Sequence, residues 1–196
     1  MRRQRNLLGP QGMGGMVSLW GQSSLIASVQ RGTISLNAAT SATATINAVN
    51  TAYSVVQFLN YSTTYQNGPN GTQSRDYKPR LELTNSTTVT ASKNNAFGAN
   101  DTVPYEVIEF MPGALRSVQK GTIQFAGGTV FTATITSVNS AKSLLFHLGS
   151  SDPMSNTYDV PNYFNAMLVL TNNTTVTATT GTTSDLLVGY EVVEFY

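Results

Sequence analysis

The chain has 196 residues with no cysteine, one histidine and one tryptophan. That excludes disulfide frameworks and Cys/His zinc sites, and any Ser/His triad would have to be built on His147. Charged residues make up 11% of the chain and the formal net charge is +1, so no strong field draws in nucleic acid or an acidic polymer. Threonine, serine and asparagine, at 27, 19 and 17, account for 63 residues. Such a chain, rich in Thr and poor in long charged helix formers, is expected to be all-β.

The opening MRRQRNLLGPQGMGGM is basic, but its apolar run is only Leu7 and Leu8, too short to predict an export signal. No later stretch approaches the roughly 18 apolar residues of a membrane span. Beyond this arm, VQRGTI at Val29 returns as VQKGTI at Val118, an offset of 89 that holds through Val49-Asn50 and Val138-Asn139. The offset is 87 for LTNSTTVTA at Leu83 against LTNNTTVTA at Leu170, and 85 for YEVIEF at Tyr105 against YEVVEF at Tyr190. Internal duplication therefore organises the chain. We expect an arm (1–22), a first module (23–110), a linker (111–117) and a second module (118–196).

Each module offers about six short strands, predicting two tandem antiparallel β-sandwiches. In the first they centre on 32–36, 42–48, 54–60, 80–84, 87–92 and 104–110. Asn85-Ser86 and Asn172-Asn173 sit where hairpin turns should be, since asparagine tolerates positive φ. The third strand is apolar on both faces: Val55, Gln57 and Leu59 match Leu144, Phe146 and Leu148, while Val56 and Phe58 match Leu145 and His147. The last strand, with Tyr105, Val107, Ile108 and Phe110 repeated as Tyr190, Val192, Val193 and Phe195, behaves alike. A strand greasy on both faces has a second surface to cover. A homo-oligomer, a trimer preferred, is expected, with Val56, Phe58, Leu145, His147, Tyr105 and Tyr190 at its interface.

No residue pattern points to catalysis, a metal or a cofactor. His147 stands where the first module has Phe58 and has no neighbouring acid or nucleophile motif, so it reads as structural. Replacing it with Phe should cost about 1 kcal/mol or less unless both ring nitrogens are bonded. The repeated pairs Glu106/Glu109 and Glu191/Glu194 lie three apart on a strand and so point to opposite faces, unlike a glycosidase acid and base. Asp76, Asp101, Asp152, Asp159 and Asp185 are expected in loops, without a calcium-loop pattern.

Two variable loops, residues 60–78 and 149–165, mix aromatic and small polar side chains in the way ligand-binding loops do. Tyr61, Tyr65, Asn67, Asp76, Tyr77, Asp152, Tyr158, Asp159 and Tyr163 are their candidate contacts. Arg2, Arg3, Arg5, Leu7 and Leu8 make the arm a candidate peptide for docking in a partner's groove.

The sequence VQ(R/K)GTI, the Ala-Thr-Ile end of the second strand, LTN(S/N)TTVTA and the closing YEV(I/V)EF resemble repeat units of tailed-bacteriophage virion proteins: tail fibres, head or collar appendages, and capsid decorations. More loosely, the strand order is similar to the H-type lectin sandwich. The first resemblance implies a non-enzymatic, trimeric virion component docked to other virion proteins by its N-terminal arm and aiding host attachment. The second implies, as the alternative, a carbohydrate-binding module whose loops recognise a host surface glycan. Neither implies a nucleic-acid partner, a membrane span or a cofactor.

Overall fold

The computed structural model describes residues 25–63, 78–94, 100–151 and 166–196. The protein is all-β. Its strands are β1 (Ile26–Ser35), β2 (Ser41–Thr45), β3 (Ser54–Phe58), β4 (Ser62–Thr63), β5 (Arg80–Asn85), β6 (Thr88–Ser92), β7 (Asp101–Phe110), β8 (Leu115–Gln124), β9 (Gly128–Thr134), β10 (Ser143–Ser151), β11 (Met167–Asn172), β12 (Thr175–Ser184) and β13 (Leu187–Phe195). Among the described residues the one helical element is a 3-10 turn at Ser140–Lys142. No helix there is long and apolar enough to cross a membrane.

The two halves repeat one antiparallel topology. In the first, β7 lies between β1 and β3, with β4 also on β7, and β6 lies between β2 and β5. In the second, β13 lies between β8 and β10, and β12 between β9 and β11. Each pair of sheets encloses one apolar core. Ile34, Val103 and Val107 meet Leu81, Leu83 and Val89 in the first, and Ile123, Val188 and Val192 meet Val176 and Ala178 in the second. The linker is shorter than the sequence suggested. Leu115 already belongs to β8 and is buried, so the connection is a tight turn at residues 111–114 with Gly113 at φ 85°.

The repeated motifs have structural reasons. Gly32 stands opposite Tyr105, and Gly121 opposite Tyr190. A Cβ at either glycine would lie 2.5 or 2.6 Å from the tyrosine hydroxyl, so the ring occupies the space a side chain would need. The preceding glutamine clamps the segment after the second strand. Gln30 accepts from the Asn47 N–H (2.7 Å) and donates to its carbonyl (3.0 Å), and Gln119 does the same with Thr136. In both hairpins the asparagine works through its side chain, not through positive φ. Asn85 Oδ1 accepts from Thr87 N–H and Oγ1–H, and Asn172 Oδ1 from those of Thr174, while neither asparagine lies among the positive-φ residues.

The modules also join. Gly149 on β10 pairs with Arg80 on β5, which links β2-β6-β5 and β10-β13-β8 into one six-stranded sheet. Gly149 has φ 91°, and its equivalent Asn60 has φ 78°. Both mark a bulge at the end of the third strand of the module. Gly149 is further constrained because a Cβ there would collide with the Pro79 carbonyl.

Candidate functional site: the seam between the modules

Most of the second apolar face of the third and last strands is covered from within the chain, Leu144 on β10 being left 52% exposed. Val55, Leu115 and Val193 form a buried cluster with Tyr53, Ile108, Phe110, Val118, Phe146 and Phe195 around it, drawn from both modules. The Phe110 and Phe195 rings, equivalent positions of the duplication, meet edge to face at 5.6 Å. Leu148 reaches furthest, belonging to the core of the first module although it is carried by the second.

This seam relocates the expected interface residues. Val56, Tyr105 and Tyr190 are buried inside the modules, and Phe58 and Leu145 pack against those same cores. They face inward because the alternation of the strand sends them to the module core, while Val55, Ile108 and Phe110 take the other face.

His147 is half-buried on this inward side as well. Its Nδ1 accepts from the Gly149 N–H at 3.0 Å, which leaves Nε2 protonated and donating to the Ala166 carbonyl, also at 3.0 Å. Burial pushes its pKa down, against the Ala166 carbonyl and the backbone of His147 itself, which pull it up. The ring is a neutral brace across the bulge, which is the case in which replacement by Phe is not cheap.

The repeated glutamates separate into two kinds. Glu109 and Glu194 each accept a backbone N–H, from Asn50 and Asn139, at 2.8 Å, and so tie the last strand to the turn before the third. Glu106 pairs with Arg31 at 2.5 Å on the surface. Its equivalent Glu191 is 1% exposed and accepts instead from the Val56 N–H of the other module at 3.1 Å. Burial pushes its carboxyl up to about 7; the Val56 hydrogen bond and Lys120 pull down, and Glu82 pushes further up. Lys120, the equivalent of Arg31, donates to the Leu83 carbonyl and lies 3.8 Å from Glu82.

Two clefts run along the seam on either side of Lys120. One of about 330 Å³ is lined by Arg80, Leu81, Glu82, Gly121 and Leu148, the other of about 360 Å³ by Thr51, Leu83, Asn85, Val118 and Glu191. Arg80 and Glu82 were not evident in the sequence because neither belongs to a motif; Lys120 does, and the Arg/Lys alternation in VQ(R/K)GTI was the one hint of its changed environment.

Asp101 is not in a loop. It opens β7, is 1% exposed, and its Oδ2 lies 2.6 Å from the Nζ of equally buried Lys93. Tyr61 packs against the first core, and its hydroxyl pKa is raised by burial and then by Asp101. The remaining loop candidates, Tyr65, Asn67, Asp76, Tyr77, Asp152, Tyr158, Asp159 and Tyr163, and the arm residues Arg2, Arg3, Arg5, Leu7 and Leu8 lie outside the described residues. Among the described residues no three His, Asp or Glu side chains form a group able to hold a metal ion.

The chain matches no family model, no curated protein and no solved structure.

Proposed function

We propose that this protein is a non-enzymatic structural component of a tailed-phage virion, as a tail fibre, collar or head appendage, or capsid decoration. In this reading residues 1–22 dock to other virion proteins and the duplicated modules self-associate, a trimer being preferred. The observation that supports a structural role is how the recurring polar residues are used. Gln30 and Gln119, Asn50 and Asn139, and Glu109 and Glu194 all bond to the chain's own backbone. What the duplication repeats is therefore scaffolding. The virion assignment rests on the motif resemblance. Adding the full chain and the arm-deleted chain to particles lacking the protein tests it: only the full chain should co-sediment with them. Equal incorporation of both would refute anchoring by the arm, and no incorporation of either would refute the virion assignment.

A carbohydrate-binding receptor module is the second reading. It draws support from the two seam clefts, which carry Arg80, Glu82, Lys120 and Glu191 among apolar side chains and whose volumes suit a small sugar. A glycan array probed with the arm-deleted protein decides it: binding that is lost on Glu82→Gln or Lys120→Met favours this reading, and a blank array removes it.

A further inference from the structure

The seam is directional, and only half of each module's share in it is used. The first module contributes a mouth between its edge strands β3 and β5, and the second contributes a plug, the bulge of β10 with Phe146, Leu148 and Gly149. Every part has an equivalent on the opposite module. The second module has a corresponding mouth between β10 and β11, and the first has a corresponding bulge at Leu59 and Asn60.

Burial shows that these equivalents stand open. Val55 at the filled mouth is fully buried, and its equivalent Leu144 is 52% exposed. Leu148 in the plug is 3% exposed, and its equivalent Leu59 is 41%. Leu115, which covers Val55, is 2% exposed, and its equivalent Ile26 is 43%. Val56, Leu81 and Leu83 are buried beneath the plug, whereas Leu145, Leu168 and Leu170 are only half-buried.

The strand edge agrees. Where β5 carries Arg80 and Glu82 beside the plug, β11 carries Met167 and Val169, which are 67% and 56% exposed. Exposed edge strands are ordinarily guarded by charge. Among the described residues β11 is hydrogen-bonded to β12 alone.

We infer that the mouth of the second module receives the bulge of the first module of another copy of this chain, repeating between chains the seam seen within one. Leu59 of the incoming copy would enter the second core as Leu148 enters the first. Leu144 would be covered by Ile26 of that copy, the equivalent of Leu115. The glutamate has its place too, Glu106 of the incoming copy being positioned to accept the Leu145 N–H as Glu191 accepts that of Val56. Such a contact is head-to-tail, and it gives a closed ring if the rotation closes and a filament if it does not. The inference rests on the self-association in the reading above, and it is independent of the virion assignment.

Sedimentation velocity on the full chain tests it, with a plug variant, Leu59→Asp, and a mouth variant, Met167→Asp/Val169→Asp. Wild-type protein should sediment as species larger than the monomer, growing with concentration. Each variant alone should be monomeric, because one of its two surfaces is dead. An equimolar mixture of the two should form dimers and nothing larger, since one good mouth meets one good plug. Leu59→Ser and Met167→Ser replace any variant whose far-ultraviolet circular dichroism differs from wild type. A monomeric wild type overturns both this inference and the self-association reading. Wild-type-like assembly by both variants, or a mixture that stays monomeric, overturns this surface while leaving self-association by another route.

Discussion

The two modules carry the same motifs, and they differ where each meets its neighbour. In the first, Arg31 and Glu106 keep each other company at the surface. In the second the same two positions are pulled apart by docking: Glu191 turns to a backbone N–H of the first module and Lys120 to a carbonyl of it. Docking thus converted an exposed ion pair, worth little in water, into two hydrogen bonds across a seam, one of them to a carboxyl held near neutrality. A charge pair is an economical surface feature, but burying it next to an apolar plug favours splitting it.

A second difference gives the largest predicted effect. The buried Lys93–Asp101 pair of the first module corresponds to Thr180 and Leu186 in the second, also buried. Removing one member of a buried pair strands the other charge, so Lys93→Met should cost about 3–5 kcal/mol. Transplanting the second module's choice, Lys93→Thr with Asp101→Leu, should return the protein to within about 1 kcal/mol of wild type, because the desolvation of both ions disappears with them. Urea denaturation of the singles and the double closes the cycle. A double variant as unstable as the single would mean that the two cores are not interchangeable here.

The plug comes next. Leu148→Ala should cost about 2–5 kcal/mol by opening a cavity in a core. Leu59→Ala in dilute protein should cost under about 1 kcal/mol, since Leu59 is half in solvent. The distinctive readout is where the loss appears: amide exchange should accelerate in β3 and β5 of the first module, although Leu148 belongs to the second. Loosening confined to the second module would break the plug assignment.

Glu191 sets the two modules apart through pH. Its carboxyl sits at about 7 in the folded protein against an ordinary 4.5. Its contribution to stability is therefore intact below about pH 4.5 and lost as pH rises towards 7, where the unfolded chain ionises and the folded one resists. Glu191→Gln keeps an acceptor for the Val56 N–H and removes that penalty. The variant should gain up to about 3 kcal/mol over wild type at pH 8 and almost nothing at pH 4. Glu106→Gln, losing only an exposed pair, should change stability by about 1 kcal/mol or less. Parallel pH profiles for the two variants would refute the distinction.

Much of this was legible in the sequence because it is local. The duplication, the strand pattern and the two-faced third and last strands follow from spacing, and Val55, Val56, Ile108 and Phe110 sit on the faces their parity predicts. The occupant of the outer face was not legible. Parity reveals that a face is apolar, but a tandem module and a second subunit satisfy it equally well. Asp101 was misplaced for a related reason: its partner Lys93 is eight residues away in sequence, and nothing in either residue's neighbours marks a buried pair. Glu82 and Arg80 gained their place from the seam alone.

The smallest effect concerns His147, where the modules again differ at one position. The first module fills it with Phe58, which suggests from sequence that an aromatic ring suffices. The fold adds what the comparison of sequences omits: the bulge after it is built on Gly149, whose N–H points at the imidazole, while Ala166 presents its carbonyl to the other ring nitrogen. His147→Phe leaves both backbone groups without this partner in a half-buried site, so we expect a loss of about 1–3 kcal/mol. Because burial holds the folded imidazole neutral, the wild-type contribution is present above the unfolded value near 6.5 and declines as pH falls below it. The Phe variant should lose that acid-side slope along with the stability. A Phe variant as stable as wild type, with the slope retained, would show that the imidazole bonds do not brace the bulge.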